Sequence, residues 1–227
     1  GNRGPTPPRP SVVLDVGGVL GAGRVPAPAV HVLLGGDAVA VAEARRAERP
    51  DYDAARTDPA EYWGAVARAA GVEALTAAEV QELQDADDRY FLRLDPEARA
   101  LLHDLARNGV RLALLSNASA AFGEAVRKAD WFEAFTLPVI AAEERTVKAE
   151  REVYEVLLDV LAHETGGVRL PSAVIFFDDR EDNVAAARAL GIDAHLWPRN
   201  GDPHPEGTEH GATIARRVLA ERGVPLD

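Results

Sequence analysis

The sequence predicts an α/β protein, with a parallel sheet carrying helices on both faces. Three observations lead there. Short apolar runs ending near residues 15, 115, 137–141 and 177 alternate with helical stretches, the rhythm of a parallel sheet built from strand–helix–strand units. The first and fourth runs stop abruptly on aspartate, at Asp15 and at Asp178-Asp179. Carboxylates so placed stand at the carboxyl rim of the sheet, where open α/β folds bind ligands. Finally, the interval from about Gly21 to Asp95 is too long for one crossover and is helical in composition.

The opening decapeptide, residues 1–10, is Pro-rich without an apolar core and reads as a flexible lead. Ser11-Val12-Val13-Leu14 is a β-branched strand ending at Asp15, and the pair Gly17-Gly18 follows, where the backbone is free to take positive φ or approach a ligand closely. Residues 22–95 read as a helical insert with segments at 27–34, 38–48, 59–70 and 76–94. Thr76-Ala77-Ala78-Glu79 has the spacing of a capping box. The core, residues 11–21 and 96–227, resumes with a helix from Pro96 to Asn108 closed by Gly109. A strand from Val110 to Leu115 ends in Ser116-Asn117, and helices are expected at 120–128, 149–164 and 183–190. Ala194 to Trp197 reads as a fifth strand, and a short helix closes the chain after a loop at 199–210.

Composition excludes several classes. At 227 residues the chain is long enough for one well-buried domain plus an insertion. A net charge of −12 disfavours nucleic acid and anionic membrane as partners, and no run approaches a transmembrane length. With no Cys there is no disulfide, thiolate metal site or Cys nucleophile. The lack of Met points to a processed or non-native start, and a cytoplasmic enzyme fits best. The six His show no ligand spacing; His31 and His103 fall in helical stretches.

The adjacent carboxylates Asp178 and Asp179 repel each other unless a cation neutralises them, and an all-oxygen site suits Mg²⁺. A helix needs only one N-terminal cap, so capping explains one of the pair. Asp15 alone reads equally well as a turn residue; Lys148 alone reads as a surface lysine, and Ser116-Asn117 alone as a turn.

Their order along the chain is what resembles the haloacid dehalogenase (HAD) superfamily. Leu14-Asp15-Val16-Gly17-Gly18 matches its first motif with one departure. Leu114-Leu115-Ser116-Asn117 matches the second, Lys148 the third, and Asp178-Asp179 with Asn183 the fourth. The fourth motif looks most like the branch that holds α-glucose-1-phosphate phosphatase and the N-terminal domain of soluble epoxide hydrolase. The resemblance implies a Rossmann-like three-layer α/β/α core with an inserted α-helical cap.

It also implies roles. Asp15 is the nucleophile, forming an aspartyl-phosphate. Ser116, the Asn117 amide, Gly18 and Lys148 hold the phosphoryl group. Mg²⁺ is held by Asp15, the Gly17 carbonyl and Asp179, with Asp178 beside it and Asn183 acting through water. The implied activity is Mg²⁺-dependent hydrolysis of a small phosphorylated metabolite, sugar phosphates being one candidate class. The departure is Gly17, which stands where the family usually has a second Asp as general acid and base, help typically worth about 10²–10⁴-fold. Asp51, Asp53 and Glu61 are candidate replacements, and Tyr62, Trp63 and Tyr90 are candidate pocket residues or core. Two alternatives stay open: a catalytically impaired phosphate-binding, regulatory or biosynthetic auxiliary protein, and a 2-haloacid dehalogenase, whose halide needs no proton and whose chemistry needs no Mg²⁺.

Overall fold

The computed structural model describes residues 9–21, 28–117, 119–140 and 149–227. Five parallel strands form one sheet: β1 (Ser11–Leu14), β2 (Arg111–Ser116), β3 (Leu137–Ile140), β4 (Val174–Asp178) and β5 (Asp193–Leu196), in the order β3-β2-β1-β4-β5. The strand carrying Asp15 is therefore central. Pro138 lies in β3, an edge strand, where a missing N–H leaves no gap in the ladder interior.

Alternation along the strands builds two cores. Val12, Leu14, Leu112, Leu114, Ile175 and Phe177 face one layer. That layer comprises α5 (Pro96–Arg107), α6 (Ala120–Arg127) and α9 (Gly211–Glu221), which supply Leu101, Leu105, Val126 and Leu219. Val13, Ala113, Leu115, Val174 and Phe176 face the other. There α7 (Arg151–Glu164) and α8 (Glu181–Ala189) supply Tyr154, Leu157, Val184 and Ala187. The result is the expected three-layer α/β/α core.

Between β1 and α5 the chain forms a helical cap with a core of its own. It comprises α1 (Pro28–Leu34), α2 (Ala38–Asp53), α3 (Pro59–Ala69) and α4 (Ala77–Leu92). Tyr52, Tyr62, Trp63, Val66 and Leu83 are its buried centre. The Thr76–Glu79 capping box is present in both directions. Both ends of the insert leave the core together: Gly21 and Leu94 form an isolated antiparallel bridge, and Asp95 N donates to the Leu20 carbonyl at 2.7 Å.

Two elements differ from the sequence expectation. Helix α2 runs through Pro50 to Asp53 instead of stopping at Glu48. Proline removes one internal hydrogen bond, but here it falls in the final turn, where Ala54 N still reaches the Pro50 carbonyl at 3.1 Å. Helix α8 begins at Glu181, two residues earlier than expected, so Asp182 lies inside its first turn rather than ahead of it.

Candidate functional site

Register alone brings the acids together. Leu14 pairs with Phe177 and with Leu114, so Asp15, one residue on, is level with Asp178, and Ser116 lies just beyond. Oxygen atoms of Asp15, Asp178 and Asp179 lie within 4.8 Å of one another. Asp15 Oδ1 accepts from Val16 N at 2.7 Å, which turns the carboxylate back over the start of the following loop.

The two neighbours of the acidic pair differ sharply. Asp178 is fully buried, and its Oδ1 accepts from Arg180 N at 2.9 Å and Asn183 Nδ2 at 3.1 Å. Asp179 faces a cavity of about 480 Å³, and its Oδ2 accepts from Arg199 Nε at 2.7 Å. The cavity lies over the carboxyl rim, with Asp15, Gly17, Ser116, Asn117 and Asn183 also lining it. The Ser116 hydroxyl is engaged by no other described residue. Lys148 lies outside the described residues.

The loop after Asp15 is a single wide turn, with Leu20 N reaching the Asp15 carbonyl at 3.4 Å and Gly21 N reaching Val16 at 2.9 Å. The carbonyls of Gly18, Val19, Leu20 and Gly21 are likewise taken, three of them by Asn200. Gly17 is the one carbonyl in this turn with no donor among the described residues, and Gly17 lines the cavity. Three converging carboxylates and one unengaged carbonyl are an oxygen-only donor set, which fits a hard divalent cation such as Mg²⁺.

Gly18 has a different job from the one expected. Its N–H donates to the Gly21 carbonyl at 3.2 Å, and it is not among the residues lining the cavity. At φ +80° it takes the left-handed conformation, and a Cβ there would sit 2.3 Å from Asp179 Oδ2. It lets the loop turn tightly against Asp179.

The opposite wall comes from the cap: Arg45, Arg46, Arg49, Pro50, Asp53 and Tyr62. Of the three acids considered as replacements at Gly17, only Asp53 reaches the cavity, and Arg49 Nε donates to it at 3.0 Å. Asp51 pairs with Arg56 on the surface, and Glu61 serves the capping box of Asp58. Tyr62 lines the cavity, whereas Trp63 is sealed in the cap core and Tyr90 packs against its edge. Phe91 and Phe122, stacked edge to face at 6.4 Å, close the cavity between cap and core. These aromatics and the arginines carried no motif in the sequence; the i,i+4 spacing of Arg45 and Arg49 and the i,i+3 spacing of Arg46 and Arg49 were the available signal.

A haloacid dehalogenase-like hydrolase family model matches residues 11–191, and the chain belongs to that family. No curated protein matches. Among solved structures, HAD family enzyme BT-2542 of Bacteroides thetaiotaomicron, as a magnesium complex, superimposes with a TM-score of 0.64 at 20% identity, covering 87% of this chain and 96% of its own. A predicted HAD-like hydrolase of Porphyromonas gingivalis gives a TM-score of 0.63 at 21% identity, over 92% and 98%. L-2-haloacid dehalogenase of Xanthobacter autotrophicus gives 0.63 at 21%, over 93% and 83%. At such identities the likeness is one of fold. No helix among the described residues is long and apolar enough to cross a membrane.

Proposed function

We propose that this protein is a Mg²⁺-dependent phosphatase of a small phosphorylated metabolite, working through an aspartyl-phosphate at Asp15. The observation that carries the reading is the meeting of Asp15, Asp178 and Asp179 within 4.8 Å at the floor of a cavity that also holds Ser116 and Asn117. Dehalogenation needs no Mg²⁺, whereas three carboxylates this close are best accommodated by a divalent cation, which is why the hydrolysis of phosphate is preferred. BT-2542 was solved with magnesium and inorganic phosphate together, which supports the same choice.

In this reading Asp15 attacks phosphorus in line, the bond to the leaving oxygen breaks, and water then cleaves the aspartyl-phosphate to free phosphate and the carboxylate. Ser116 and the Asn117 amide hold a phosphoryl oxygen, and Lys148 supplies positive charge. Asp15, Asp179 and the Gly17 carbonyl would hold Mg²⁺, with Asp178 and Asn183 behind them; the ion would neutralise the phosphoryl charge that otherwise repels Asp15. Asp178 and Asn183 also fix the strand-to-helix turn through their mutual hydrogen bond. Asp53 is engaged by Arg49, so a proton for the leaving group comes most directly from water. Good leaving groups are therefore favoured, and a cytoplasmic sugar phosphate with an anomeric oxygen fits that requirement.

The test is phosphate release from para-nitrophenyl phosphate and a sugar-phosphate panel, with Mg²⁺ or with EDTA. Turnover that needs Mg²⁺ and is lost in Asp15→Asn is expected, as is weaker Mg²⁺ binding in Asp179→Ala by calorimetry. Phosphate binding without turnover would instead mark an impaired auxiliary protein. Chloride release from 2-chloropropionate in EDTA would mark a dehalogenase.

A further inference from the structure

The cap wall of the cavity inverts the charge of the molecule. The whole chain carries −12, with 37 acidic and 25 basic residues. Yet, among the described residues, the cap contributes Arg45, Arg46 and Arg49 to the cavity against one acid, Asp53. All four project from α2: Arg45, Arg49 and Asp53 recur every four residues along one face, and Arg46 stands one turn from Arg49 at the exposed edge of that face.

Part of this cluster is architecture. Arg45 Nη2 and Arg49 Nη1 both bond Asp87 of α4, the second at 2.9 Å, and Tyr62 Oη accepts from Arg45 Nε at 3.3 Å and Arg49 Nη1 at 3.4 Å. The Arg49 guanidinium also lies over the rings of Tyr52, Tyr62 and Phe91 at 5.5–5.6 Å. These contacts anchor α2 to α4 and hold Arg49 in one orientation.

They leave donors over. Arg49 Nη2 makes no hydrogen bond among the described residues, although Arg49 borders the cavity. Arg45 is 1% exposed, and its Nη1 is buried with no partner. An unsatisfied buried donor is costly, and native structures rarely keep one without a reason. Arg46 has neither ion pair nor hydrogen bond among the described residues, so anchoring the helices does not explain it. Arg45 and Arg49 share Asp87 and Asp53, so among the described residues Arg46 is the arginine of this wall with no carboxylate beside it.

We propose that Arg46 and Arg49, on the platform built by Arg45, Tyr62 and Asp87, bind a second anionic group carried by the leaving moiety of the substrate. Preferred substrates are then doubly anionic phosphomonoesters, the second anion being a carboxylate or another phosphate. This rests on the phosphatase reading for the first anion at the acidic rim. The cavity of about 480 Å³ has the size of a small-metabolite site. Planar guanidinium forks suit both carboxylate and phosphate.

The test is direct binding to the wild-type protein with Mg²⁺, using phosphonates that cannot be hydrolysed. A series of ω-phosphonocarboxylates of about three to six carbons is compared by calorimetry with alkylphosphonates of matched length. At the best length the carboxylate form is expected to bind about tenfold tighter or more, the worth of a hydrogen-bonded charge pair. Arg46→Gln should bring that ratio close to one, while Arg68→Gln, which removes a charge from the same cap away from the cavity, should leave it. An α,ω-bisphosphonate arm reports whether phosphate or carboxylate is the better second anion.

Equal binding of the pairs at every length, a preference that survives Arg46→Gln, or no phosphonate binding would each overturn the proposal. Turnover of para-nitrophenyl phosphate separates the two ideas. Turnover without anion preference sinks only the second-anion site. A preference without turnover keeps that site and removes the phosphatase reading.

Discussion

Replacing Asp88 by Asn should stabilise the protein at alkaline pH and do little in acid. Asp88 lies on α4, buried in the cap, where Gln84 Nε2 donates to its Oδ1 at 2.8 Å. Burial first, then the neighbouring charge of Asp87, outweigh that hydrogen bond and the pull of Arg49, and the carboxyl is pushed up to about 6 from an ordinary 3.8. The native state therefore holds this proton more tightly than the unfolded chain does. The stability so gained is complete below the unfolded value and is lost as pH rises through about 6. At 1.36 kcal/mol per unit the gap is about 3 kcal/mol. Residual contact with water screens part of it, leaving about 1–2 kcal/mol. The Asn carbonyl still accepts from Gln84 but never ionises. Urea unfolding followed by tryptophan fluorescence, run on both proteins at about pH 4 and about pH 8, reads the effect. The advantage of Asp88→Asn should grow by about 1–2 kcal/mol between the two. An advantage that stays flat with pH would refute the reasoning, because only a titrating Asp88 makes it change.

Gly18→Ala should lower the melting temperature by several degrees, since its φ of +80° costs an L residue about 1–2 kcal/mol. The added Cβ also meets Asp179 Oδ2, so Mg²⁺ binding should weaken about tenfold or more; calorimetry giving an unchanged affinity would separate this glycine from the site. Gly17→Asp is tolerated by the backbone, because φ −64° and ψ 122° suit any residue. If the leaving group lacks a general acid, this variant should speed hydrolysis of alkyl phosphates by about 10²-fold or more while leaving para-nitrophenyl phosphate, a good leaving group, nearly unaffected. Equal effects on both substrates would argue that protonation does not limit the parent.

The acidic rim was legible because it depends on strand register, and register follows from buried apolar runs. Once Leu14 pairs with Phe177, Asp15 and Asp178 cannot avoid each other. The difference between the two neighbouring acids was less visible. Spacing to Asn183 ranked Asp179 as the direct Mg²⁺ ligand; that Asp179 borders the cavity while Asp178 is held by Arg180 N and Asn183 depends on side-chain bonds the spacing does not reveal. Long-range features were silent. Nothing local to Arg49 announces Asp87, and nothing local to Gly18 announces Asp179, since each meeting depends on how helices and loops pack after folding. The end of α2 was set too early for a related reason: a proline in the last turn costs little, and beyond it Tyr52 is buried and Asp53 accepts from Arg49.

The bridge between Gly21 and Leu94 has a consequence for how such a protein is assembled. Because the insert leaves and re-enters the sheet at one point, the core experiences the whole cap as a single closed loop. The entropy of closing a loop grows only with the logarithm of its length. Exchanging the cap for a larger or smaller one therefore changes the folding free energy of the sheet little, provided the two ends still meet. The sheet layer and the helical insert can thus be altered separately, with the bridge as the seam where one is cut from the other.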